Sequence, residues 1–200
     1  RAATSAARGH ATVPLVRVPA VEYHLIARTL DCGALGIMVP MVESPEQATA
    51  FVRACRYPPH GRRGFGIFYR DEWRGTLGET IAAVNDDILT IAQIESRAGL
   101  ERVEEIAAVD GLDVLLVGPS DLSISLGIPG DSTHPDFVAA LDRVVAACAA
   151  HGKAAGILST TVDGARAMVE QGFRFMMFGL DILLYQTALQ EGVAAVRAGF

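Results

Sequence analysis

Lysine is nearly missing from this chain: Lys153 is the single one in 200 residues. A lysine Schiff-base mechanism therefore rests on one position. Lys153 stands ahead of an apolar run rather than at its end, on the side away from the strand ends that carry chemistry in barrel enzymes. Cysteine is sparse as well. Cys32, Cys55 and Cys148 are odd in number, far apart and form no Cys-x-x-Cys pair. That pattern excludes a disulfide framework and a cysteine zinc site, and fits small buried thiols in a reducing cytoplasm. No apolar run nears the ~20 residues of a membrane span, and no signal-peptide core opens the chain. No Gly-x-Gly-x-x-Gly follows the first strand-like run and no Gly-x-Ser-x-Gly elbow occurs, which removes the usual marks of dinucleotide binding and of a serine hydrolase. The 17 basic residues are outnumbered by 23 acidic ones, for a formal net charge of -6 and an isoelectric point near 5.3, and no basic run is denser than Arg62-Arg63. This balance excludes a nucleic-acid surface. The expected partner is a small molecule or another copy of the chain.

What is present is ample core: 50% hydrophobic residues against 20% charged, enough for a single domain over 1–200. Pro14-Leu15-Val16-Arg17-Val18 reads as a strand, and Pro19 opens a helical segment carrying Val21, Leu25, Ile26 and Leu30. The apolar run 36–42 is a second strand, followed by Ser44 as N-cap and Pro45 as first residue of a helix. Prolines and glycines make 57–66 an irregular connection, with a helix over 77–84 behind it. Ile88 to Glu95 reads as a third strand, Leu100, Val103, Ile106 and Ala107 mark one helix, and Leu115-Leu116-Val117 stops as a fourth strand at Gly118. His134-Pro135 opens a helix that closes near Gly152; strands over 154–158 and 175–179 alternate with helices over 162–172 and 182–198.

Continuous apolar strands alternating with amphipathic helices imply a parallel sheet covered by helices. Six units are visible, whereas a closed barrel takes eight and about 250 residues, and an open six-strand version leaves apolar edges. The expected fold is a TIM-type β/α barrel whose first two units lie upstream of Arg1, a truncation also indicated by the lack of an initial Met. The alternative is a doubly wound sheet.

In a barrel the strand C-terminal ends converge on one rim, which brings together Arg17, Glu95 and Asp121. Two carboxylates there suit a hard divalent cation, magnesium or manganese. The competing reading has each carboxylate capping the helix that follows it. Arg17 either steadies developing oxyanion charge or pairs with a rim carboxylate. Gly118-Pro119-Ser120 leaves the Ser120 and Asp121 amides free for an anionic substrate. His10, His24, His60, His134 and His151 read as solvated, capping or packed, Arg62-Arg63 as a solvated loop, and Trp73, among Asp71, Glu72 and Arg74, as a packing residue.

Val39-Pro40-Met41-Val42, Arg56-Tyr57-Pro58-Pro59 with Gly61 and Arg63-Gly64, Gln93-Ile94-Glu95-Ser96-Arg97, Gly118-Pro119-Ser120-Asp121-Leu122-Ser123 and Gly152-Lys153-Ala154-Ala155-Gly156-Ile157-Leu158 together resemble the HpcH/HpaI aldolases. These are metal-dependent (class II) pyruvate aldolases related to macrophomate synthase, within the citrate lyase β-like superfamily. The resemblance spans nearly the whole chain in order. It implies metal ligation by Glu95 and Asp121, substrate contacts at Gln93, Ser120 and Asp121, enolate stabilisation by Arg17, an Asp31 that raises the basicity of a catalytic histidine, and a Leu158 bordering the aldehyde end. It also implies a hexamer exchanging its C-terminal helix, which suits 182–198. The family's Glu-His-Ala-Pro-like motif, which carries the histidine base, does not occur here, and truncation upstream of Arg1 accounts for that. The implied reaction is reversible cleavage of a 4-hydroxy-2-oxo acid to pyruvate and an aldehyde with Mg2+ or Mn2+, or Co2+. The alternatives are an acyl-CoA carbon–carbon lyase and a non-catalytic binder of metal and oxo acid.

Overall fold

The structure, a computed structural model, describes residues 4, 6, 7, 9–66 and 75–199; Trp73 and its neighbours Asp71, Glu72 and Arg74 lie outside the described residues. Strands β1 (Leu15–Arg17), β2 (Gly36–Val39), β3 (Leu89–Ile94), β4 (Val114–Val117), β5 (Ala154–Ser159) and β6 (Phe175–Phe178) form one sheet. Each strand pairs in parallel with the next in sequence. A doubly wound sheet reverses its strand order at a switch point. No reversal occurs here, so the six strands form a curled, partial TIM-type α/β barrel.

The connections are helices α1 (Tyr23–Asp31), α2 (Pro45–Cys55), α3 (Leu77–Asp87), α4 (Arg97–Glu101), α5 (Val103–Ala107), α6 (Pro119–Ser125), α7 (Pro135–Ala150), α8 (Val162–Gln171) and α9 (Asp181–Ala198). Local chemistry sets several starts. Ser44 accepts a bond from the Gln47 N–H at 3.2 Å with Pro45 in the first turn, and Thr76 and Glu79 form a full capping box for α3. His134 caps α7, its Nδ1 accepting from the Asp136 N–H at 3.2 Å.

Two boundaries depart from expectation. Pro19 does not open α1, because the Val18 N–H still reaches Met38 O across the sheet at 3.0 Å and the chain needs residues 19–22 to cross the rim. The single helix expected through Leu100 and Ala107 is broken at Arg102 (φ -113) into α4 and α5. Its four apolar side chains still enter one core, so the spacing is legible while the break is not.

Side-chain alternation along the strands separates two faces. Ile37, Val39, Ala92, Ile94, Leu115, Val117, Ala155 and Ile157 pack outward against the helices in the main core. Met38, Ile91, Val114 and Leu116 form a second cluster on the inner face, joined by Leu89, Ala154, Phe175 and Met177. Helix α9 buries none of its residues and exposes Ile182, Leu184, Tyr185 and Leu189. Among the described residues no helix is long and apolar enough to cross a membrane.

At the rim where strands begin, a buried polar network fixes the frame. The Arg56 guanidinium donates to Asn85 O and lies 3.4 Å from Asp113 Oδ2, which also accepts the Thr90 N–H at 2.8 Å. Tyr57 N–H donates to Asn85 Oδ1 at 2.7 Å. Asp113→Ala strips Arg56 of its counter-charge and Thr90 of its acceptor, so the urea midpoint should fall by the equivalent of about 1–3 kcal/mol. An unchanged midpoint would show that the network does not tie β3 to β4.

Candidate active site

Gln93 and Glu95 are two residues apart at the end of β3 and so emerge on the same, inner face. The pairing of Ile94 with Val117 brings Gly118 alongside Glu95. A Cβ at Gly118 would stand 2.5 Å from Glu95 Oε2 and 2.7 Å from Gln93 Nε2, so the bare backbone of that turn is what gives the two polar groups their space. Glu95 is 2% exposed. Its Oε1 accepts the Met41 N–H at 3.0 Å and lies 4.0 Å from the Arg17 guanidinium, which is itself mostly in solvent at the end of β1. Among the described residues Glu95 Oε2 and Gln93 Oε1 are buried without a donor.

The capping alternative fails for Glu95. Ser96, not Glu95, caps α4, accepting the Gly99 N–H at 3.1 Å. Asp121 lies in the first turn of α6, exposed and close enough to Glu95 to act on it. Ser120 precedes it in that turn, where the first N–H groups have no intrahelical acceptor. Burial pushes the Glu95 carboxyl above the ordinary glutamate range; the Met41 N–H opposes this, the Asp121 charge adds to it, and the Arg17 charge opposes it. Among the described residues no group of three His, Cys, Asp or Glu side chains converges to hold a metal ion, so Glu95 and Asp121 stand as a pair. A pair of oxygen donors of this kind leaves most positions of a hard cation open to substrate and water.

The other expected residues divide between the two rims. Leu158, half-buried at the end of β5, shares the inner face with Gly156 and lies on the rim of Arg17 and Glu95. Asp31 does not join them. It ends α1 just before β2 begins, at the opposite rim, and its Oδ1 is bonded to the Arg63 guanidinium at 2.7 Å. Arg63 is not the solvated loop residue expected: it is 2% exposed and lies 4.7 Å above the Tyr57 ring. Lys153 precedes β5 on that same opposite rim, as its place in the sequence indicates. His24, expected to be solvated, capping or packed, is exposed on α1; His10, His60 and His151 are exposed as well. Sequence reasoning read Gly118 only as part of the turn that frees the Ser120 and Asp121 amides and gave Met41 no part of its own; what each does for Glu95 depends on a neighbouring strand.

Parallel strands in sequence order carry a carboxylate pair at their C-terminal ends, the rim on which β/α-barrel enzymes place their chemistry. The chain belongs to the HpcH/HpaI aldolase/citrate lyase family, whose model matches residues 2–188, and so to a family of carbon–carbon lyases. It is 39% identical over 186 residues to the 5-keto-4-deoxy-D-glucarate aldolase of Shigella boydii serotype 18, covering 93% of this chain and 72% of that one. The HpcH/HpaI aldolase of Desulfitobacterium hafniense DCB-2 superposes with a TM-score of 0.92 at 33% identity, over 97% of this chain and 76% of the other. A family member from Burkholderia cenocepacia J2315 superposes with a TM-score of 0.85 at 37% identity, over 96% and 76% respectively.

A raised Glu95 carboxyl has a defined effect on stability. Its native form holds the proton more tightly than the unfolded chain, so this stability is complete below the unfolded value of about 4.5 and is lost as pH rises through the native one. Glu95→Gln should therefore raise the urea midpoint of the metal-free protein at neutral pH and leave it unchanged in acid. Asp121→Asn should lower the Glu95 titration seen by carbonyl NMR; a Glu95 signal indifferent to Asp121 would break the pairing.

Proposed function

We propose that this chain carries metal-dependent aldol cleavage of 4-hydroxy-2-oxo acids, and the reverse condensation, with pyruvate and an aldehyde as products. The observation that supports it is the pair of buried acceptors without donors, Glu95 Oε2 and Gln93 Oε1, beside the exposed Asp121 carboxylate. Burying such oxygens unpaired costs free energy, and a hard cation is the partner they fit. Glu95 and Asp121 would hold it; Mg2+, Mn2+ and Co2+ all suit an oxygen set. When bound, the cation supplies Lewis-acid stabilisation of the enolate that cleavage leaves.

The chain's own residues perform the remaining tasks. Arg17, at the solvent edge of the Glu95 carboxylate, is placed to hold oxyanion charge as it develops. Gln93 and the first-turn amides of Ser120 and Asp121 bind and orient the oxo acid through its carboxylate. Leu158 borders the aldehyde end from β5. The 4-hydroxyl proton passes to a base, the part that the resemblance gives to a histidine; Asp31, which the resemblance sets beside that histidine, is bonded to Arg63 at the opposite rim and does not reach Glu95 and Asp121 within this chain. The relatives named as 5-keto-4-deoxy-D-glucarate aldolases support an oxo-acid substrate. The exposed apolar side chains of α9 support a homohexamer exchanging that helix, and the free Cys32, Cys55 and Cys148 support a reducing cytoplasm.

In the full-length enzyme, Mn2+ or Mg2+ should permit pyruvate release from 4-hydroxy-2-oxo acids, EDTA should stop it, and malyl- or citramalyl-CoA should be poor substrates. Asp121→Ala should abolish the metal-dependent rate with the circular dichroism spectrum intact, and Arg17→Ala should lower kcat by about 10²–10³-fold. Cleavage that is insensitive to EDTA, or full activity in Asp121→Ala, would sink this reading.

A further inference from the structure

Strand β2 carries one residue more than its neighbour where it meets Glu95. Continued regularly, the pairing of Val39 with Ala92 would have the Met41 N–H donate to Gln93 O, yet it is the Val42 N–H that does so, at 3.1 Å. Pro40 and Met41 take up the surplus. Pro40 has no N–H to give the ladder, and Met41 sits in the left-handed region at φ 52, the one non-glycine residue with positive φ among the described residues. A bulge in a parallel ladder is rare and re-aims the groups beside it. Here it turns the Met41 N–H out of the sheet and onto Glu95 Oε1 at 3.0 Å. The turn has little room to relax, because Val42 O packs 2.5 Å from where a Cβ on Gly99 would stand. The Met41 side chain is 50% exposed, so its own packing does not account for this backbone.

We infer that the Met41 main chain is a positioning group, which fixes Glu95 Oε1 and leaves Oε2 as the oxygen offered to a divalent cation. This rests on the reading of Glu95 and Asp121 as metal ligands. The bulge acts before any cation arrives, by setting which carboxylate oxygen is already engaged. Its requirement is for a left-handed residue, not for a thioether.

The test uses the full-length protein and Mn2+ alone, followed by calorimetry. Met41→Gly and Met41→Asn, both at ease in the left-handed region, should bind Mn2+ within about twofold of the parent, whereas Met41→Ile should bind it about tenfold or more weakly. A second measurement needs no metal: the Met41 amide should exchange slowly in the parent and quickly in Glu95→Ala. Equal affinity in all three variants, a glycine variant as weak as the isoleucine one, or a Met41 amide indifferent to Glu95→Ala overturns the inference. If the parent itself fails to bind Mn2+ while its Met41 amide responds to Glu95→Ala, the ligand reading falls and carries the inference with it, with the bulge's hold on Glu95 still on record.

Discussion

A carboxylate held out of water is the constraint around which the rim at the strand C-terminal ends is arranged. Glu95 is 2% exposed, and its neighbours are accommodations to it. Gly118 has no side chain at the point where one would strike Oε2, Met41 departs from the ladder to donate its N–H, and Arg17 stands at the outer edge with its charge in solvent. Ser96 takes over the capping of α4, which frees the glutamate from that task. These adjustments reduce the cost without removing it, and one oxygen remains without a donor. That oxygen is the one the proposed cation would engage.

The two rims of the sheet are built on opposite terms. Where the strands begin, Arg56, Asn85, Thr90 and Asp113 bond one another, and Asp31 is tied to Arg63. Where they end, Glu95 Oε2 and Gln93 Oε1 are buried acceptors without a donor, whereas the unmatched atoms of the other rim, Arg63 Nε and Nη1, are donors. This is the division expected of a β/α barrel, with stability placed at one end and chemistry at the other. It also bears on Asp31. Within one chain its bond holds residues around Arg63 in place, a task separate from the part in proton transfer that the family resemblance gives it.

Much of the fold could be read from sequence because strand and helix periods, caps and prolines are local. Ser44-Pro45 and His134-Pro135 mark real helix starts, and Gly172 (φ 117) a real helix end. The carboxylates were legible for a related reason: parallel strands deliver their ends to one rim whatever lies between, so Glu95 and Asp121 could be brought together without knowing a single contact. What stayed hidden depends on pairings between distant segments. The break at Arg102, the burial of Arg63 against Tyr57 and the crossing of the rim by residues 19–22 have no local pattern. Gly118 and Met41 belong to the same class, since each is explained by Glu95, which lies on another strand.

The bulge in β2 also acts as a change of phase. In an uninterrupted strand, residues three apart point to opposite faces, yet Val39 and Val42 are both fully buried in the helix-side core. The surplus residue is what lets the chain bend toward the rim and then return its next valine to the core it left. Deleting the surplus residue would put the next valine two places after Val39, the spacing of an uninterrupted strand, so the core face would be kept and the N–H given to Glu95 Oε1 would be lost.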